Sequence, residues 1–376
     1  MPAESITTHR VALIPGDGIG PEVIAEGRRV LEEVARRDGR FRFSFTAFPW
    51  GSEYYLEHGR MMPKGALQEL GGFDAIYLGA VGDPRIPDHI TLRGLLLPIR
   101  QGFDQYVNLR PIRLLRGAPT PLRDRSPSDI NMLFIRENSE GEYAGQGGFL
   151  FEGTPQEVAL QTAVFSRRGV ERVIRYAFEQ ARRLGWSLTS VSKGNALNYS
   201  AVFWDRVFHE VARDYPDVET HSYLVDAAAL YMVRNPERYR VVVASNLFGD
   251  ILTDLGAALA GGLGLAAGAN LNPEQRFPSM FEPIHGSAPD IAGKGIANPM
   301  ATIWTGALLL QHLGYPGWHN AVLSAIEHAL ASGAALPPDL GGTAGTRQVT
   351  DAVLAALPER PGLVAYIAGA GSSAGA

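Results

Sequence analysis

Residues 246 to 256 read NLFGDILTDLG, in which Asp250 and Asp254 stand four apart. On a helix that spacing projects both carboxylates from one face, where their repulsion asks for a compensating cation. A third acid, Asp226 in YLVDAAALYMV, ends an apolar strand and could face the same cleft. Three hard oxygen ligands suit Mg2+ or Mn2+ rather than zinc. The plainer alternative is that Asp250 caps the helix and Asp254 complements its dipole. Spacing leaves both readings open.

Three arginines, Arg100 in LLLPIRQGFD, Arg110 in VNLRP and Arg136 in LFIREN, lie in or after apolar segments. A planar guanidinium there suits bidentate recognition of carboxylates; structural ion pairs with acids such as Asp104 and Glu137 are the alternative. Two proton handlers complete the set. Lys193 ends the apolar SVSKGN run, where burial lowers a lysine pKa, and Tyr143 in EGEYAG can relay a proton. Snorkelling of Lys193 and core packing of Tyr143 compete with those roles.

The stretch IPGDGIGPEV follows the apolar run Val11–Ile14 and invites comparison with a phosphate-cradling turn. The fingerprint G-x-G-x-x-G would require glycine at 21, where the chain has Pro21. Asp17 inside the turn would repel a phosphate. The segment therefore reads as a tight strand-to-helix turn, with Pro21 in the first helical turn.

The elements that must position these groups follow from composition and pattern. The chain has 376 residues, 45% of them hydrophobic, enough for two domains. A net charge of −5 offers no broad basic field for nucleic acid or an anionic membrane. There is no cysteine, which excludes disulfides and thiolate chemistry and fits a reducing cytoplasm. The start, MPAESITTHR, lacks the apolar core of a signal peptide. Apolar runs alternate with helical patterns (RVALIP, PEVIAEGRRVLEEVARR, FRFSFTAF, FDAIYLGA), which predicts an α/β chain with a largely parallel sheet. The uncharged stretch 255–273 reads as buried turns and helix, and the low-complexity end AGAGSSAGA as disordered. The simplest arrangement is a small central domain inserted into a larger one holding both chain ends, with the site in the cleft.

PGDGIGPEV, NLRP, RENSEGEY, NLFGDILTDL and FEPIHGSAPDIAGKGIANP, in that order along the chain, resemble the metal-dependent β-decarboxylating dehydrogenases, the isocitrate and 3-isopropylmalate dehydrogenase family. PDHITLRGLL, FDQYVNLRP and GSEYYLEHGRMMP are most similar to its tartrate and decarboxylating D-malate dehydrogenases. The resemblance implies a two-domain, non-Rossmann α/β fold: residues 1–106 and 259–366 in the large domain, 107–258 in the small domain with a dimer-interface arm, and 367–376 as a tail. It also implies that Arg100, Arg110 and Arg136 bind substrate carboxylates and that Tyr143 and Lys193 are catalytic. Asp226, Asp250 and Asp254 would hold Mg2+ or Mn2+, with K+ as a further cation left open. Lys193 and Asp226 match residues contributed across a homodimer interface, which a higher oligomer could contain.

NAD is expected around His285, Gly286, Ala288, Asp290, Ile291 and Asn298, with Asp290 repelling the additional phosphate of NADP. Leu96 and Leu97 would line the substrate side. Arg93, seven residues before Arg100, is expected on the same helical face, or else to be a solvated helix residue. The rival within the family is 3-isopropylmalate dehydrogenase of leucine biosynthesis. A non-catalytic subunit would be signalled by loss of a metal aspartate, Lys193 or Tyr143, and all are present.

Overall fold

A computed structural model describes residues 6–361; the tail expected over 367–376 and the first five residues lie outside them. One ten-stranded sheet runs through the molecule in the order β2-β1-β3-β12-β11-β4-β5-β10-β8-β9. The strands are β1 (Thr7–Gly16), β2 (Phe41–Ala47), β3 (Ala75–Ala80), β4 (Val107–Arg113), β5 (Asn131–Glu137), β8 (Leu188–Ser192), β9 (Thr220–Leu224), β10 (Val241–Ala244), β11 (Ala267–Leu271) and β12 (Ser279–Pro283). β6 (Gly141–Leu150) and β7 (Val158–Val164) pair apart from it as an antiparallel arm.

The flanks of the sheet are parallel, as the alternating pattern predicts, because helices cross over between successive strands. The centre differs: β11 runs antiparallel to both β12 and β4, and β4 is antiparallel to β5. Interior strands are buried on both faces, which explains why β3 and β10 read as continuous apolar runs. β2 alternates instead, as an edge strand does. The stretch 255–273 corrects the reading of turns and helix alone, since it also carries β11, whose AGANL sequence has no β-branched residue.

Helix Gly20–Asp38 packs its Val23, Ile24, Val30, Leu31 and Val34 stripe inward, with Pro21 in its first turn. The preceding glycine turn holds no open phosphate cradle. The buried Asp17 carboxylate fills it, accepting from the Ser52 amide (2.7 Å), the Ser52 hydroxyl (2.7 Å) and the Gly82 amide (2.8 Å). Among the described residues no helix is long and apolar enough to cross a membrane.

Candidate active site

A cavity of about 220 Å3 opens where β3, β4 and β5 meet the helix Asn246–Leu259. Its lining brings together Arg100, Arg110, Arg136, Tyr143, Asp250 and His285. The three arginines are 5%, 7% and 2% exposed, and buried guanidinium groups require anionic partners. Those partners are not Asp104 and Glu137. Asp104 pairs with Arg172 at 2.7 Å, and Glu137 accepts from the backbone and hydroxyl of Ser139 and from the Glu140 amide. Arg100 instead meets Glu282 at 2.7 Å, while Arg110 lies 3.3 Å from Asp250 and 3.6 Å from Asp254. Arg136 contacts Asp250 through Nη1 and grips the Asn246 carboxamide oxygen through Nε (2.9 Å) and Nη2 (2.7 Å).

Asp250 is thus the hub of the site. Ser245 precedes the helix and Asp250 sits in its second turn, so helix capping is not its role. Burial alone would raise its pKa, but Arg136 and Arg110 outweigh this and hold it below the ordinary aspartate value. Tyr143 donates its hydroxyl to Asp250 Oδ2 at 2.8 Å, with Arg136 5.4 Å from its ring centre. Burial and the adjacent carboxylate raise the Tyr143 pKa, so the phenol keeps its proton. Asp254, one turn on and exposed, has its pKa raised by partial desolvation and by Asp250, against the pull of Arg110. Arg110, near both carboxylates, and Arg136 at Asp250 offset the repulsion that their spacing creates.

Asp226 does not join these acids within one chain. It lies in the first turn of helix Val225–Arg234, just beyond β9, where Lys193 holds it at 2.7 Å, and neither residue lines the cavity. Among the described residues no group of three or more His, Cys, Asp or Glu side chains could hold a metal. The donor chemistry that one chain does offer, two aspartates on one helix face, is that of a hard divalent cation.

The helical segment 88–102 carries a π-helical turn over Leu92–Leu96, ahead of Pro98, and the Leu97 amide bonds back to the Leu92 carbonyl. The wider turn rotates Arg93 away from the face of Arg100. Arg93 is exposed and does not line the cavity, and its Nη1 lies 2.9 Å from where a Cβ on Gly145 of the arm would sit. Leu92 and Leu96 line the cavity; Leu97 is buried and is not in its lining.

On the cofactor side, His285 and Gly286 border the cavity. His285 Nε2 is buried without a hydrogen-bond partner among the described residues, a group that a bound ligand would satisfy. Ala288 has φ +40°, Asp290 is exposed, and Ala288 and Ile291 pack on Ile19, Val23 and Ala297. The Asn298 side chain is committed to the scaffold, donating to Asp339 (3.0 Å) and accepting from the Met300 amide (3.0 Å). Sequence reading does not single out Glu282, Asn108 or Leu92; an acid set inside the apolar MFEPI run was the available signal for Glu282.

Known proteins resemble the chain over almost its whole length. The family described as isocitrate/isopropylmalate dehydrogenase matches residues 10–353. A probable tartrate dehydrogenase/decarboxylase of Agrobacterium vitis is 53% identical over 350 residues, covering 93% of this chain and 96% of that protein. The decarboxylating D-malate dehydrogenase of Escherichia coli K12 is 53% identical over 354 residues, covering 92% and 98%. Among solved structures, an isocitrate dehydrogenase from Methylococcus capsulatus superposes with a TM-score of 0.82 at 36% identity, covering 93% of this chain and 99% of that one.

Proposed function

The chain belongs to the isocitrate/isopropylmalate dehydrogenase family, and from that premise we propose that it oxidises and decarboxylates a malate-type 2-hydroxy diacid, D-malate or a tartrate, using NAD and a divalent cation. The observation that carries this reading is the convergence of three buried arginines on one small cavity that also holds Tyr143 and Asp250. Arg100, Arg110 and Arg136 bind the two carboxylates of the substrate and align its C2 and C3.

Asp250 and Asp254, with Asp226 of the partner subunit, would hold Mg2+ or Mn2+; the hard oxygen donors suit those ions. The unsatisfied His285 Nε2 and the loop 285–298 suit NAD, with Asp290 reading the adenosine ribose. When bound, the cation supplies Lewis acidity at the C2 oxygen and NAD supplies the hydride acceptor. The Lys193 side chain of a second copy takes the hydroxyl proton as C2 loses hydride. The resulting 2-keto acid loses its C3 carboxylate as CO2, the electron pair of the broken bond passing toward the keto oxygen. Tyr143 then returns a proton to C3.

A homodimer follows from the same reading. The apolar Phe149, Leu150, Phe151 and Leu160 that the arm exposes support it. The 3-isopropylmalate alternative is not favoured. The two relatives at 53% identity described above are named for tartrate and D-malate. An NADH-formation screen of 2-hydroxy diacids with added Mn2+ or Mg2+ tests the substrate class. D-malate or a tartrate should give the highest kcat/KM, and a tenfold win for 3-isopropylmalate, about 1.4 kcal/mol, would overturn it.

A further inference from the structure

A chain of buried amides runs beside the cavity and takes no part in the steps above. Asn270 on β11 is wholly buried. Its Oδ1 accepts from Nδ2 of Asn108 on β4 (2.9 Å) and from Nδ2 of Asn138 just after β5 (3.0 Å). Its Nδ2 donates to Glu282 Oε1 on β12 at 2.7 Å, and the same oxygen takes Arg100 Nη2 at 2.7 Å.

The polarity of this chain is fixed from one end. Asn138 Nδ2 also donates to the Gln105 carbonyl at 2.9 Å, and a carbonyl can only accept. The NH2 of Asn138 must therefore lie on that side, the Asn270 oxygen must face it, and the Asn270 NH2 must face Glu282. Arg100, for its part, has no partner for its buried Nε among the described residues and is oriented by its bond to Glu282. Asn270 sits where β4, β11, β12 and the end of β5 converge, so it ties the orientation of Glu282 to four separate parts of the central sheet.

We infer that Asn270 is a positioning residue for substrate binding: through Glu282 it sets the angle at which Arg100 presents its guanidinium to a substrate carboxylate. The inference rests on the reading of Arg100 as a carboxylate-binding residue. A misplacement of about 1 Å in such a clamp costs on the order of 100-fold.

The test compares Asn270→Leu, Asn270→Asp and Arg100→Ala, as full-length protein with Mn2+ and NAD, in steady-state kinetics with D-malate across pH and with Tm recorded for each. Asn270→Leu should raise KM for D-malate by about ten- to a hundredfold with a much smaller change in kcat. Asn270→Asp sets a second carboxyl against Glu282. Its KM should approach the wild-type value at low pH, where the protonated carboxyl replaces the amide donor, and climb as pH rises, a limb that wild type lacks. Wild-type KM and pH profile in both Asn270 variants, with KM raised in Arg100→Ala, would overturn this inference alone. So would a loss of kcat that tracks lowered Tm at constant KM, which marks a structural role. An unchanged KM in Arg100→Ala would remove the reading of Arg100 and this inference with it.

Discussion

Gly18 lies directly beneath Ser287: the next amide, Ile19, donates to the Ser287 carbonyl at 2.8 Å, and a Cβ on Gly18 would come within 1.9 Å of that oxygen. The glycine-rich turn therefore supports the loop that begins at His285, and that close approach is what its glycine permits. Gly18 also has φ +57°. Gly18→Ala should cost about 1 to 3 kcal/mol of stability and raise KM for NAD severalfold by displacing the loop. Gly39→Ala is the comparison: φ is +74° with nothing within 4 Å of the added Cβ, so it should lower Tm and leave KM for NAD unchanged. Equal effects of the two on KM would break the link between the turn and the loop.

Removing charge at the two helix aspartates should have separable effects. Sequence spacing suggests that Asp250→Asn would relieve repulsion and spare the fold. The structure reverses that expectation, because Asp250 is the counterion of buried Arg110 and Arg136. Asp250→Asn should lose activity by orders of magnitude and also about 2 kcal/mol of stability, less than a fully buried pair would cost because its side chain is 34% exposed. Asp254→Asn, at 61% side-chain exposure, should lose activity with stability changed by less than about 0.5 kcal/mol. Denaturant titration of both variants beside turnover at limiting metal checks the pair.

What the sequence made legible, and what it hid, divides along physical lines. The three arginines stand out because charged groups in apolar strings are costly unless partnered, Asp250 stands out by its spacing from Asp254, and Tyr143 by the resemblance that RENSEGEY carries. The partners were not readable, since Arg100 and Glu282 are 182 positions apart and only the sheet order brings β12 beside β3. β11 was missed because AGANL carries no β-branched signal; its small residues suit a fully buried central strand. Of the two readings of Arg93 the structure takes the solvated one, because a π-helical turn breaks the 3.6-residue period that would set it on the face of Arg100.

One ion-pair cluster should give the protein a measurable acid-side dependence. Glu33 accepts from Arg36 and Arg37, chiefly Arg36, and is held down to about 2. Arg37 in turn donates to the Leu357 carbonyl and so ties helix Gly20–Asp38 to the end of helix Thr346–Ala356. A carboxylate depressed in the folded state adds stability that is present above its unfolded pKa and lost as pH falls through the folded value. Glu33→Gln should therefore be less stable than wild type by about 1 kcal/mol at pH 7, the gap closing as pH is lowered from about 4.5 toward 2. A gap that stays constant over that range would show that the charge is not its source.

Cofactor choice should follow Asp290. Its carboxylate is exposed on the loop after His285, and Ile291 beside it packs on Ile19 and Val23 and brings no charge. A 2′-phosphate there would meet repulsion without rescue. kcat/KM should favour NAD over NADP, and Asp290→Ser should narrow the ratio by raising the NADP value. Equal efficiency of wild type with both cofactors would exclude Asp290 from this role.

Shared active sites make the sharpest demand on the proposed dimer. In one chain Tyr143 bonds Asp250 in the cavity lining, whereas Lys193 bonds Asp226 outside it, so each chain carries one proton handler in its cavity lining and one outside it. If a second copy delivers Lys193 and Asp226, a dimer has two sites, each drawing Tyr143 from one subunit and Lys193 from the other. Lys193→Met should block hydroxyl deprotonation and Tyr143→Phe should slow return of the proton to C3, leaving each homodimer impaired. In a mixed dimer of the two variants both lesions fall in one site, and the other site is intact. Co-expression with two different affinity tags, followed by sequential purification of the hybrid, should recover roughly half of the wild-type turnover per dimer. A hybrid no more active than the mean of its parents would place Lys193 and Tyr143 in the same subunit's chemistry or remove one of them from it, and the shared-site arrangement would fall.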